Sequence, residues 1–221
     1  MLMLTAALIA SLAMCQPAAR MPSARQLAFP LATADSSLQA MFDRGTTFAA
    51  FVETATARRD GWLRLQREAV VEASLLRRAR AVGGTWQLLV IARDGCGDSM
   101  HSVPYAARLA DSVSGLSLRI VSPTDGQAAA NTHRTADGRM ATPTFILLDA
   151  AGNDVGCVVE LPEPLRAWTN RSRGAVSNDS LHTYRSTFYT TDRGGSISRE
   201  LVEVLEAARA GTPRCDRQVP R

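Results

Sequence analysis

Lysine is absent from this chain: all 25 of its basic residues are arginine, set against 21 acidic ones. The arginines are scattered, whereas a nucleic-acid footprint needs cations gathered on one face, so a net charge of +4 does not point to DNA or RNA. The lack of lysine fits codon usage in a G+C-rich bacterial genome better than selection for guanidinium chemistry. Histidine is scarce too. His101, His133 and His182 are irregularly spaced and unmatched to cysteine pairs, so no zinc site is expected, and no other metal or cofactor. No Gly-x-Ser-x-Gly elbow is present, which argues against that class of serine hydrolase. Blocks of like charge are missing as well. With 46% hydrophobic and 21% charged residues, the 221-residue chain reads as one folded domain with extensions.

Long apolar runs are confined to the start. "MLMLTAALIASLAMC" at 1–15 is too short to cross a bilayer as a helix and about right for the core of a secretory signal. Cys15 directly after Leu-Ala-Met also fits a bacterial lipoprotein box, in which it would be lipidated. Against that, Met14 stands where a small residue is usual, and no Lys or Arg precedes the run. Lipidation, a cleaved signal, and a buried helix or misassigned start remain open. The expectation is export to the cell envelope or periplasm, or else secretion, with membrane attachment only through Cys15. Residues 16–35, rich in Pro, Ala, Ser and Arg, read as a linker.

From 36 to 83 the pattern is helical. Ser36 or Ser37 is expected to cap a first short helix that Gly45 stops, with Thr46 and Thr47 able to cap the next. Phe48, Phe51, Val52, Ala55, Trp62, Leu65, Ala69, Ala73 and Leu76 follow helical spacing, which predicts an amphipathic helix or helix pair packed on the rest of the domain. The arginines lie mostly off that stripe and read as a solvated face.

The period then changes. "WQLLVIA" at 86–92 is a continuous apolar run of strand length, suited to a strand buried on both faces. Cys96 follows, then a helix near Asp98–Val113 kinked by Pro104, a strand at 116–121, a short helix in "DGQAAANTHR", a strand at 144–149, an "AAGN" turn and an antiparallel edge strand in "DVGCVVEL". "PEPLRAWTN" precedes a Ser/Asn-rich loop at 171–180. A last amphipathic helix is expected with Ser196 or Ser198 as cap and Gly211 as stop, ahead of a tail at 212–221. The result is an α/β fold whose domain spans 84–211, with a strand–helix–strand start that implies a right-handed parallel crossover.

Over roughly 84–210 the chain resembles the thioredoxin superfamily. The features that carry the resemblance are a buried strand ending before Cys96, that cysteine at a helix start, Pro104 eight residues on, and "ATPT" with Pro143 directly before a strand. "CGDS", "HRTADGRMATPTFILLD", "YTTDRGGSISRELVEVL" and "RRDGWL" are similar to a bacterial thioredoxin-like subgroup with a helical N-terminal extension. The resemblance implies a thioredoxin-like fold, a central mixed sheet flanked by helices. It implies a cis Thr142–Pro143 bond facing Cys96, and a redox site built from Cys96, Ser99 and Pro143 with Gly95, Gly97 and Thr142 contacting substrate. Independently of the family, unpaired N–H groups at a helix start favour thiolate, while Asp94 and Asp98 oppose that effect and Arg93 partly offsets them. The backbone beside Thr142 could pair with an extended peptide.

Two departures stand out. Ser99 replaces the second cysteine of a C-x-x-C pair, and Gly95 sits where family members commonly carry tryptophan. A hydroxyl cannot resolve a mixed disulfide, so the dithiol cycle within the motif is excluded. What remains is monothiol reduction or isomerisation of protein disulfides with an external thiol or reductant, resolution by the distant Cys157, or a non-catalytic binding or envelope-assembly module. "CGDS" is also similar to monothiol glutaredoxins, which use glutathione, although export argues against that reading. Ser99 is expected to donate a hydrogen bond to the Cys96 sulfur, and Arg139 could reach toward the site. Cys157 either pairs with Cys215 across 58 residues, leaving Cys96 free, or is a small buried apolar residue.

Overall fold

The computed structural model describes residues 32–215; the apolar N-terminal run, Cys15, most of the expected linker and residues 216–221 lie outside them. Helix α1 spans Ala32–Arg44, so Ser36 and Ser37 fall inside it rather than capping it. Thr46 then bridges to Ile120, and Thr47 accepts a hydrogen bond from Ala50 N to cap α2, Phe48–Thr54. Helices α3, Arg59–Glu68, and α4, Ala73–Val82, complete the extension, which is three helices beyond α1 and not one or two. The helical register breaks where Ala55 and Ala69 turn extended. Because of that break the buried stripe resets to Leu75 and Ala79, and Ala73, expected inside, is exposed.

The domain follows as β1 (Trp86–Ile91), α5 (Gly97–Ser112), β2 (Leu116–Val121), α6 (Gln127–Thr132), β3 (Thr144–Leu148) and β4 (Asp154–Val159), then α7 (Glu163–Ser172), α8 (Asn178–Asp192), α9 (Gly195–Arg209) and β5 (Arg214–Cys215). The sheet order is β2-β1-β3-β4-β5. β1 runs parallel to β2 through the α5 crossover, β3 is antiparallel to β1 and β4, and β5 is parallel to β4. β4 is therefore not the edge strand expected, because the tail supplies β5 outside it.

The central strands read as unbroken apolar runs because both sheet faces are covered. Leu88, Val90, Phe145, Leu147 and Val158 pack with buried residues of α2 to α5 and α9 in one core. Leu89, Ile91, Ile146 and Leu148 pack with Met41 and Phe42 of α1 and Ala129 and Ala130 of α6 in the other. At about 1.5–3 kcal/mol for each large side chain removed from water, these two layers dominate the stability.

The Ser/Asn-rich stretch is not only a loop. Ser177 accepts a hydrogen bond from Ser180 N and starts α8, a helix that sequence periodicity misses because Tyr189 is its one buried residue. The next helix is entered through Gly194, not Ser196 or Ser198. Gly194 has φ +73°, and a Cβ there would lie 2.1 Å from the Tyr105 ring, so only glycine fits.

Trp62 ties the extension to the domain. It is fully buried, meets the Phe51 ring edge-on at 5.1 Å, and donates its indole N–H to Asp94 O at 2.9 Å. Trp62→Ala is expected to cost about 3–5 kcal/mol of unfolding free energy in urea melts, and Trp62→Phe clearly less. An unchanged Trp62→Ala midpoint would mean that the extension is not part of the cooperative core.

Candidate functional site

The turn after β1 is held from the extension. The Asp94 carboxylate accepts the backbone N–H groups of Ala57 and Thr56, each at 2.9 Å, and these bonds hold it below the usual carboxylate range. Arg58, in the left-handed region at φ 54°, donates Nε–H to Gly95 O at 2.9 Å. Its guanidinium carbon lies 3.8 Å from where a Gly97 side chain would begin. Gly95 and Gly97 are thus packed beside a cation that sequence reasoning did not single out, although it opens the "RRDGWL" stretch.

Cys96 is the N-cap of α5 with extended dihedrals (φ −84°, ψ 122°), and its carbonyl accepts Met100 N at 3.0 Å. It is half-buried and the free cysteine among the described residues. Its thiol donates to Thr142 O at 3.1 Å, and the Thr142–Pro143 peptide is cis. The structure therefore brings Cys96, Thr142 and Pro143 together at one end of the sheet.

Ser99 is not hydrogen-bonded to this group. It is fully buried, and its hydroxyl makes no hydrogen bond to the sulfur or to any other group. The Cys96 sulfur is instead hydrogen-bonded to the Thr142 carbonyl. Arg139 is engaged elsewhere, in ion pairs with Asp137 at 2.8 Å and Glu160 at 3.0 Å. Cys157 and Cys215 form a disulfide with Cα atoms 4.4 Å apart, joining β4 to β5, so Cys157 is committed to the tail. Beside Thr142 runs a groove of about 310 Å3 whose lining includes Arg93, Gln127 and the exposed Met140.

The fold that carries this geometry has counterparts among known proteins. A family model described as thioredoxin matches residues 45–175, more than half of the chain. The chain belongs to the thioredoxin family. No curated protein matches it. Among solved structures, a protein of unknown function from Pseudomonas aeruginosa is similar at a TM-score of 0.60 and 19% identity, over 76% of this chain and 96% of that one. An HIV epitope-scaffold is similar at a TM-score of 0.57 and 21% identity, over 78% of this chain and 97% of that one. At these identities the likeness concerns the fold alone.

Within this thioredoxin-family frame, Asp98 of the "CGDS" motif is buried and accepts Tyr189 Oη at 2.9 Å and Arg185 Nη1 at 3.0 Å, both from α8. Burial raises the Asp98 carboxyl above its ordinary range, with Arg185 and Tyr189 pulling the other way. Burial, with the carboxylate added, pushes the Tyr189 phenol up. His101 stacks on Tyr189 at 4.7 Å, and burial, then Arg64 and Arg58, push its imidazole down. Sequence reasoning missed Arg185 and Tyr189 because it did not find α8, and nothing along the chain marks Asp98 as buried.

Since its folded value is raised, ionised Asp98 costs stability as pH climbs through that value, and the cost is absent below the ordinary aspartate range. Arg185 offsets part of it. Arg185→Ala is therefore expected to lose about 1–2 kcal/mol at neutral pH, with the deficit shrinking toward about pH 4, as read from urea melts across pH. A deficit independent of pH would mean that Arg185 acts through packing alone.

Proposed function

We propose that the protein is an exported monothiol thiol-disulfide oxidoreductase or isomerase with Cys96 as nucleophile. The observation that carries this is the pairing of the cysteines: Cys157 and Cys215 are bonded to each other, while Cys96 is free, half-buried and turned to the Thr142–Pro143 edge. The Cys96 thiolate attacks one sulfur of a substrate disulfide, forming a mixed disulfide and releasing the other sulfur as thiolate. With serine at 99, resolution falls to an external thiol. It attacks the mixed disulfide, returns Cys96 as thiolate, and leaves joined to the substrate sulfur or exchanged by a second thiol.

Gly95 and Gly97 flank Cys96 with Arg58 packed against both, and the groove beside Thr142 offers room and a backbone edge for an extended peptide. The partners are therefore protein thiols or disulfides and a small-thiol or protein reductant. Export rests on residues 1–15, with Cys15 as lipid anchor or lost with a cleaved signal; a structural disulfide suits an oxidising compartment. No helix among the described residues is long and apolar enough to cross a membrane.

Cys96→Ser is expected to abolish activity in an insulin-reduction or scrambled-disulfide assay supplied with excess glutathione, with the thermal midpoint nearly unchanged because a half-buried thiol contributes little packing. Full activity in that variant would remove Cys96 as nucleophile and leave the groove as a non-catalytic binding site.

A further inference from the structure

A second cluster of chemistry-bearing side chains lies away from Cys96. An imidazole nitrogen of His133 and the sulfurs of Cys157 and Cys215 all lie within 4.8 Å of one another. Three separate elements bring them there. His133 follows the last residue of α6, Cys157 is on β4, and Cys215 is on β5. A register shift in the β3–β4 ladder sets Asp154 opposite Leu148 and Cys157 opposite Ile146, so Asp154 and Cys157 face the same side of the sheet although three residues apart. The Asp154 carboxylate stands 3.1 Å from His133 Nε2.

The hydrogen bonding of His133 fixes the orientation of its ring. Nδ1 lies 2.8 Å from the carbonyl of Ala129, which can only accept, so Nδ1 carries the hydrogen. In the neutral ring Nε2 is then the nitrogen with a lone pair. A proton on Nε2 pairs it with the Asp154 carboxylate, and a metal ion at Nε2 would take the place of that proton. A backbone carbonyl on Nδ1 is also the outer contact that orients a metal-ligating histidine with Nε2 toward the ion. Two ligand atoms bound to one tetrahedral ion at about 2.0–2.2 Å stand roughly 3.3 Å apart, close to the observed His133–Asp154 separation. His133 and Cys157 are almost fully buried, and Cys215 is partly exposed, leaving one side open for exchange.

We propose that reduction of the Cys157–Cys215 disulfide converts this cluster into a zinc site, with Cys157 Sγ, Cys215 Sγ and His133 Nε2 as ligands and Asp154 or water in the fourth position. Two thiolates and an imidazole in tetrahedral reach are the donor set of Zn2+, not of a hard cation such as Mg2+. The chemistry balances in two steps. An external dithiol delivers two electrons and two protons to the disulfide and is itself oxidised to a disulfide, leaving two thiols. Zn2+ then binds both sulfurs and releases the two thiol protons. The tail strand is held by a covalent bond in one state and by a metal in the other, so β5 stays paired to β4 in either. This site does not depend on Cys96.

The test is a titration of the full chain with Co2+, used as a spectroscopic stand-in for zinc, after reduction with a phosphine and in parallel without reduction. The expected result is one equivalent bound to the reduced protein only, with thiolate-to-cobalt charge-transfer bands and the intense visible bands of a tetrahedral site, both lost on adding one equivalent of Zn2+. Cys96→Ser should bind alike, whether or not it retains oxidoreductase activity. His133→Asn, checked for native circular dichroism, should weaken binding by at least about 10-fold. The proposal is overturned if the reduced wild-type chain shows no charge-transfer band, if the band survives in Cys157→Ser, or if His133→Asn binds as tightly as the wild type.

Discussion

The carboxylate of Asp94 holds the rest of the site in place. It sits at the end of the turn after β1 and accepts two backbone N–H groups from the link between α2 and α3, while its own carbonyl takes the Trp62 indole N–H. Three bonds thus clamp the loop that carries Cys96 to helices outside the minimal sheet domain. The extension is therefore part of the site. It buries Trp62 in the same core as β1 and α5, and it sets Arg58 against Gly95 and Gly97. A charged acceptor saturated by backbone donors is among the stronger hydrogen-bonded arrangements a half-exposed loop can have.

The other side of the motif is fixed by a different device. Asp98, in the first turn of α5, would be an uncompensated buried charge if left alone. α8 crosses over it with Tyr189 and Arg185, and His101 stacks on the tyrosine. Within four residues, "CGDS" holds one half-buried thiol hydrogen-bonded to Thr142 O, one glycine under an arginine, one acid paired inward, and one serine buried without a hydrogen bond. Packing against Arg58 accounts for Gly97 and charge compensation from α8 for Asp98.

Much of the fold was legible because its sequence signals are local. The continuous apolar run at 86–92, the "AAGN" turn between two strands and the helical spacing of the extension each depend on neighbours along the chain, and the four strands β1 to β4 fall where those signals put them. α8 and β5 were not legible for the opposite reason. α8 buries one residue, so its stripe is too thin to register, and β5 is two residues whose pairing is defined by Cys157 across 58 positions.

The sequence by itself determined that the chain forms a mixed sheet wrapped by helices, that a cysteine stands at the start of the helix after β1, and that serine, unable to resolve a disulfide, stands three residues on. Tertiary structure alone decided that Ser99 makes no hydrogen bond to the sulfur, that Arg139 pairs with Asp137 and Glu160, that Cys157 bonds to Cys215, and that His133 and Asp154 stand beside that bond. The division follows from range. Hydrophobic period and capping are properties of consecutive residues, whereas the direction of a side chain at an element's end, and the partner it meets, are set by strands and helices that come together from distant parts of the chain.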